Sequence, residues 1–267
     1  MNMVRATFVL ALTTITLLGA ETAADRAWSM LNNGAADKSY ETRLRVFSAL
    51  QVIGNQPQAR TMAEKAMLDD DRSEVRAAAA AALGEMRATE SIPKLKDAVN
   101  DKSMAVILAA ANSLYQMGDA FAYQVYFAVL TGEKKGSEGL IEAQMKILKD
   151  PKAMAKMGFE QGIGFVPFGG ISWTVIKMLR EDSVSPVRAL SAHRLAKDPD
   201  AETTRALANM ARDGKWLVRA AVVGAMAQRG DPVLLPSAEI LMDDENASVR
   251  FNAAAAVIRL TAAKDQK

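Results

Sequence analysis

The chain has 267 residues, half of them hydrophobic and 24% charged, with a formal net charge of +2, no cysteine and one histidine. Disulfides, thiolate metal sites, thiol catalysis and a multi-histidine metal centre are thereby excluded, and no global field exists to recruit nucleic acid. Few aromatics beside abundant Ala, Leu and Met favour helix over sheet, in a chain long enough to bury a sizeable core.

The amino terminus reads as a secretory leader. Met1 to Arg5 is short and positive, Phe8 to Leu18 is apolar, and small residues follow from Gly19 to Ala24. That order is the one a leader peptide uses, and the apolar run falls short of the roughly 20 residues a membrane span needs. Residues 1–24 are therefore expected to be removed, with cleavage after Ala24 or after Ala20. Thr22 stands three residues before the first bond's product, and the bulkier Leu18 three before the second's.

Beyond it the chain repeats. Trp28 to Asn32 reads as the end of a first helix, broken by Asn33 and Gly34. Ser39 then precedes Leu44 and Arg45 as an aspartate precedes a Val-Arg pair further on, with Leu44 placed 31 residues before Val75. In the second repeat Asp70 leads to Val75 and Arg76, which open an alanine-rich helix, and Gly84 suits its left-handed end. Asp101 and Val106 follow 31 residues after Asp70 and Val75. Pro93 and Pro236 each lie 13 residues before the valine of the next inner helix, so every repeat is an outer helix with Pro in its first turn followed by an inner one. Phe121 to Leu130 supplies the next outer helix, and a longer charged turn precedes Leu140 to Leu148. The last repeats are regular: Asp182 with Arg188, Asp213 with Arg219, and Asp244 with Arg250, each 31 residues after the one before. A fixed period in this range signals stacked supersecondary units. The expectation is an all-α solenoid, a superhelix of about seven helix pairs over residues 25–263, ending in a polar tail at 264–267.

The I-P-x-L-x-x-A-V segment of the outer helix, with V-R-x-A-A-x-x-A-L-G on the inner one, resembles the HEAT-repeat family in its short, phycobilisome-lyase-like variety. The resemblance implies fold rather than chemistry. By it, Asp70, Asp182, Asp213 and Asp244 cap turns and pair along a ladder with Arg76, Arg188, Arg219 and Arg250. Ile107 replaces the third arginine, so the ladder is expected to be interrupted there.

Sixteen residues fit no repeat, and they fall between Met157 and Trp173, around a Gly- and Phe-rich insertion at 158–172. Either it packs over the stack as a satellite core or it serves as a recognition loop, with Phe159, Phe165, Phe168 and Trp173 as anchors. Tyr115, His193 and Phe251, on inner helices, are expected on the concave side facing a protein or peptide partner. No catalytic residue, metal ligand or cofactor is read from the sequence, and nucleic acid is not expected as a partner. The reading is an exported, non-enzymatic scaffold, secreted to a bacterial periplasm. The alternatives are a lyase-like enzyme using carboxylates such as Glu138, Glu142 and Glu160, and an envelope-structural protein whose apolar loop touches a membrane. The second lacks the basic amphipathic face that membrane contact normally requires.

Overall fold

The computed structural model describes residues 21–131 and 184–265. They form twelve α-helices, with no strand among the described residues. The helices are α1 (Ala23–Ala35), α2 (Tyr40–Ala49), α3 (Pro57–Asp69), α4 (Ser73–Glu85), α5 (Ile92–Ala98), α6 (Met104–Gln116), α7 (Phe121–Thr131), α8 (Ser185–Leu195), α9 (Ala201–Met210), α10 (Trp216–Arg229), α11 (Leu235–Leu241) and α12 (Ala247–Asp265). Single 3₁₀ turns at Thr89–Ser91 and Pro232–Leu234 lead into α5 and α11, where Pro93 and Pro236 occupy the first turn. Proline costs nothing there, because the N–H it lacks has no partner in a first turn.

Each pair has an outer and an inner helix. The outer helices α3, α5, α9 and α11 pack on the inner helices α4, α6, α10 and α12 that follow them. Inner helices stack on one another: α8 on α10, α10 on α12, α2 on α4 and α4 on α6. Alanine makes that stacking close. Ala79, Ala80 and Ala82 of α4 are fully buried, as are Ala253 to Ala256 of α12, and short side chains let helix axes approach.

The two ends of the chain meet. α12 packs on α2 as well as on α10, and α1 packs on both α2 and α12. The order of inner helices in space is therefore α8, α10, α12, α2, α4, α6. The last repeat is followed in the stack by the first, and buried side chains of both belong to one core cluster. Arg26 of α1 pairs with Asp243 before α12, and Arg259 of α12 donates to the Val52 carbonyl at 3.0 Å.

Three local expectations are corrected. Gly34 does not break the first helix; it lies inside α1 and is buried. A Cβ there would come within 2.7 Å of Val46 Cγ2 and 2.8 Å of the Phe251 ring, so glycine serves close approach rather than a turn. Gly84 is likewise helical, its missing Cβ making room for Ser113 Oγ at 2.5 Å, and the positive φ after α4 belongs to Arg87. In the first repeat the 31-residue step from Leu44 to Val75 is not the structural period: Leu50 takes the fully buried place of Leu83, 33 residues on.

Candidate functional site

The most regular polar feature is a ladder of arginines and aspartates along the inner helices. Arg219 donates through Nε and Nη2 to both carboxylate oxygens of Asp244, at 2.6 and 2.9 Å. Arg76 grips Asp101 in the same way at 2.7 and 2.8 Å, Arg43 grips Asp70 at 2.7 and 2.9 Å, and Arg188 pairs with Asp213. In the first three rungs two parallel N–H···O bonds fix orientation as well as charge. Each of these arginines reaches the aspartate of the following repeat, and in Arg219, Arg76 and Arg43 the Nη1 also donates to the backbone of its own: Arg219 to the Asp213 carbonyl at 2.8 Å, Arg76 to that of Asp70 at 2.9 Å, Arg43 to that of Asp37. One side chain thus ties two repeats together.

The aspartates hold the turns before the inner helices. Asp70 accepts from Arg72 N–H at 2.9 Å, Asp101 from Ser103 N–H at 2.7 Å, Asp213 from Lys215 N–H at 2.9 Å, and Asp244 from Asn246 N–H at 2.8 Å. They stand two residues before the helix cap itself, as Asx turns rather than helix caps. Burial alone would push the carboxyls of Asp70, Asp101 and Asp244 upward. Their arginine and backbone hydrogen bonds more than offset it, and all three are held below the usual carboxylate range.

The sequence placed most of these residues, Asp101 among them by its spacing though not as a rung, and missed two, Arg43 and Asp37. Both belong to the ladder: Arg43 Nη1 donates to the Asp37 carbonyl at 3.0 Å and Asp37 accepts from Ser39 N–H at 2.7 Å. The six-residue spacing from Asp37 to Arg43 matches that from Asp213 to Arg219 and would have found them. Ile107 is buried where an arginine would stand, and Asp119 pairs instead with Lys96 of the outer helix at 2.9 Å. Arg250 donates to the Asp244 carbonyl at 2.8 Å and lines a cleft with Asp37, across the seam between last and first repeats. Asp182 lies outside the described residues, as do Phe159, Phe165, Phe168, Trp173 and the carboxylates Glu138, Glu142 and Glu160.

Of the residues expected to face a partner, Tyr115 and His193 are exposed. Phe251 is not: it is 7% exposed and lies against Gly34 at the seam. Its place on α12 would be open in a stack that ended there, but α1 covers it. The surface the sequence did not single out is on α7. Tyr123, Phe127 and Leu130 are 64%, 60% and 85% exposed and recur at intervals of four and three, hence on one helix face. Tyr115 of α6, 52% exposed, meets Tyr123 edge to face with ring centroids 5.9 Å apart.

Glu64 of α3 is a buried carboxylate outside the ladder. It accepts from Ser91 Oγ at 2.6 Å and pairs with Lys94. Burial pushes its carboxyl up, but Lys94 and Ser91 draw it below the ordinary value, so it is an ionised structural link between outer helices rather than a proton donor. Among the described residues no three His, Cys, Asp or Glu side chains converge as a metal site would require, and no helix is long and apolar enough to cross a membrane. Among the described residues the arrangement offers surface: stacked pairs, tied by charged rungs, with an aromatic stripe on α7.

A family model described as HEAT repeats matches residues 63–133 and 174–259, more than half of the chain. No curated protein matches it significantly. With helix pairs that stack through their inner members, arginine–aspartate rungs between neighbouring repeats and that match, the chain belongs to the HEAT-repeat family.

Proposed function

We propose that this protein is an exported, non-enzymatic scaffold that holds a protein or peptide partner. The observation that carries the reading is the stripe of Tyr123, Phe127 and Leu130 beside Tyr115. Large apolar side chains left in water at helical spacing are what an amphipathic partner segment recognises, and aromatic anchors dominate such interfaces. Helical repeat scaffolds commonly bind proteins in this way, which agrees with the family. The leader-like start of the chain supports an address beyond the cytoplasmic membrane, in a bacterial periplasm. The Gly- and Phe-rich stretch at 158–172 is the second element assigned to the partner, with His193 on the exposed face of α8.

The test is a photo-crosslinker placed at position 123 in the full chain, with envelope fractions analysed for a crosslinked partner. One discrete protein should be captured there. It should be lost when Phe127→Ser is added and when residues 158–172 are replaced by a short Gly-Ser turn. Capture that survives both changes would show that neither surface recognises the partner.

A further inference from the structure

The first described residues carry a feature that bears on how the chain is processed. Thr22 and Asp25 cap α1 reciprocally: Asp25 N–H donates to Thr22 Oγ1 at 3.1 Å, and Thr22 N–H donates to Asp25 Oδ2 at 3.1 Å. The Thr22 hydroxyl also donates to Asp25 Oδ2, at 2.7 Å. Two helix-start donors that would otherwise lack partners are satisfied by this exchange. The helix so capped is no loose tail. Ala27 and Leu31 are fully buried, Ala23 packs against the core, and Arg26 pairs with Asp243 of the last repeat.

The two bonds at which a leader could be cut affect this cap differently. A cut after Ala24 removes Thr22 and Ala23. It leaves Asp25 without its cap and places a new ammonium at the positive end of the helix dipole, where a cation is unfavourable. A cut after Ala20 keeps Thr22 to Asp25 whole, with Glu21 one residue outside the cap. A leader is removed from the extended chain, where a small residue precedes each bond but Leu18, three residues before Glu21, is bulkier than Thr22, three before Asp25; it is the folded product that favours the earlier bond. We propose that the leader is removed between Ala20 and Glu21, so that the mature protein begins at Glu21 with the Thr22–Asp25 capping box intact. This rests on the export reading above.

The experiment expresses the full chain with a carboxy-terminal tag in a bacterial host, purifies it from the periplasmic fraction, and reads its terminus by intact mass and amino-terminal sequencing. The expected chain starts at Glu21. Ala20→Leu, which puts a bulky residue beside the proposed bond, should accumulate uncut precursor, whereas Ala24→Leu should leave the terminus unchanged. A terminus at Asp25, or loss of processing in the Ala24 variant alone, overturns the proposal and selects the other bond. An uncut chain retained in the cytoplasm overturns the export reading itself, and the processing site with it.

Discussion

At the residue scale, the arginines of the ladder do two jobs with one guanidinium. Arg219 is 8% exposed and its partner Asp244 is similarly enclosed, so neither charge can turn to water if the other is lost. Removing one member of such a pair costs far more than the pair contributes, because the survivor remains buried and uncompensated. Arg219→Ala should lower stability by about 2–4 kcal/mol, against about 0.5 kcal/mol for Lys215→Ala on the exposed side of the same turn. Equal urea midpoints for the two variants would show that the rung carries no such role. The same geometry sets a pH dependence. The carboxyls of Asp70, Asp101 and Asp244 are held lower in the folded chain than in the unfolded one. Their contribution is complete above the unfolded value near pH 4 and is lost as pH falls through the folded values, since the unfolded chain binds those protons first. Urea midpoints should therefore fall below about pH 4 and do so less steeply in Arg219→Ala, which has already lost one rung. Which residue types form the ladder was legible from the period. Which aspartate each arginine holds was not, because a six-residue step back and a 25-residue step forward recur equally in the sequence. Only the packing of one inner helix on the next decides between them.

At the element scale, the outer and inner helices were legible because proline and alanine mark them. The glycines were not. Gly34 follows an asparagine, a pairing that ordinarily signals a turn, yet it sits in a helix because Val46 and Phe251 occupy the volume its Cβ would need. Both contacts come from other helices, one of them more than 200 residues away, and nothing local in the sequence announces them. The two readings differ in sign. In an uncrowded helix, alanine for glycine would stabilise by about 0.5–1 kcal/mol. Against Val46 and Phe251 it must displace packed side chains, and overpacking of this kind costs about 1–3 kcal/mol. Gly34→Ala should therefore lower the thermal midpoint, and a raised one would mean that α1 does not press on α12 as described. Pairing it with Phe251→Ala, which empties the same volume, should recover part of the loss if the two positions share that space.

At the scale of the whole molecule, the chain order and the stack order disagree, and the disagreement has consequences for stability. A repeat array is held by nearest-neighbour interfaces, and its terminal repeats, with one neighbour each, open first. By sequence α12 is such a terminus, which is why Phe251 reads as an open-face residue. In space it has α10 on one side and α1 and α2 on the other, and Ala253 to Val257 are fully buried. The seam was illegible because the two segments that form it share no motif; they meet through Gly34, Phe251, the Arg26–Asp243 pair and the Arg259 bond to Val52. Amide hydrogen exchange separates the two arrangements. With the seam closed, amides of α12 from Ala253 to Leu260 should be protected as strongly as those of α4 and α10, although they lie near the carboxy terminus. Truncation of the chain before Tyr40, which removes α1, should then speed exchange in α12 by at least tenfold, since a loss of about 1.4 kcal/mol in opening free energy suffices for that. The same truncation should leave α6 unchanged, because two inner helices stand between it and the exposed face of α12. Exchange in α12 as fast as in a frayed end of the intact protein would mean that the first and last repeats do not stack in solution.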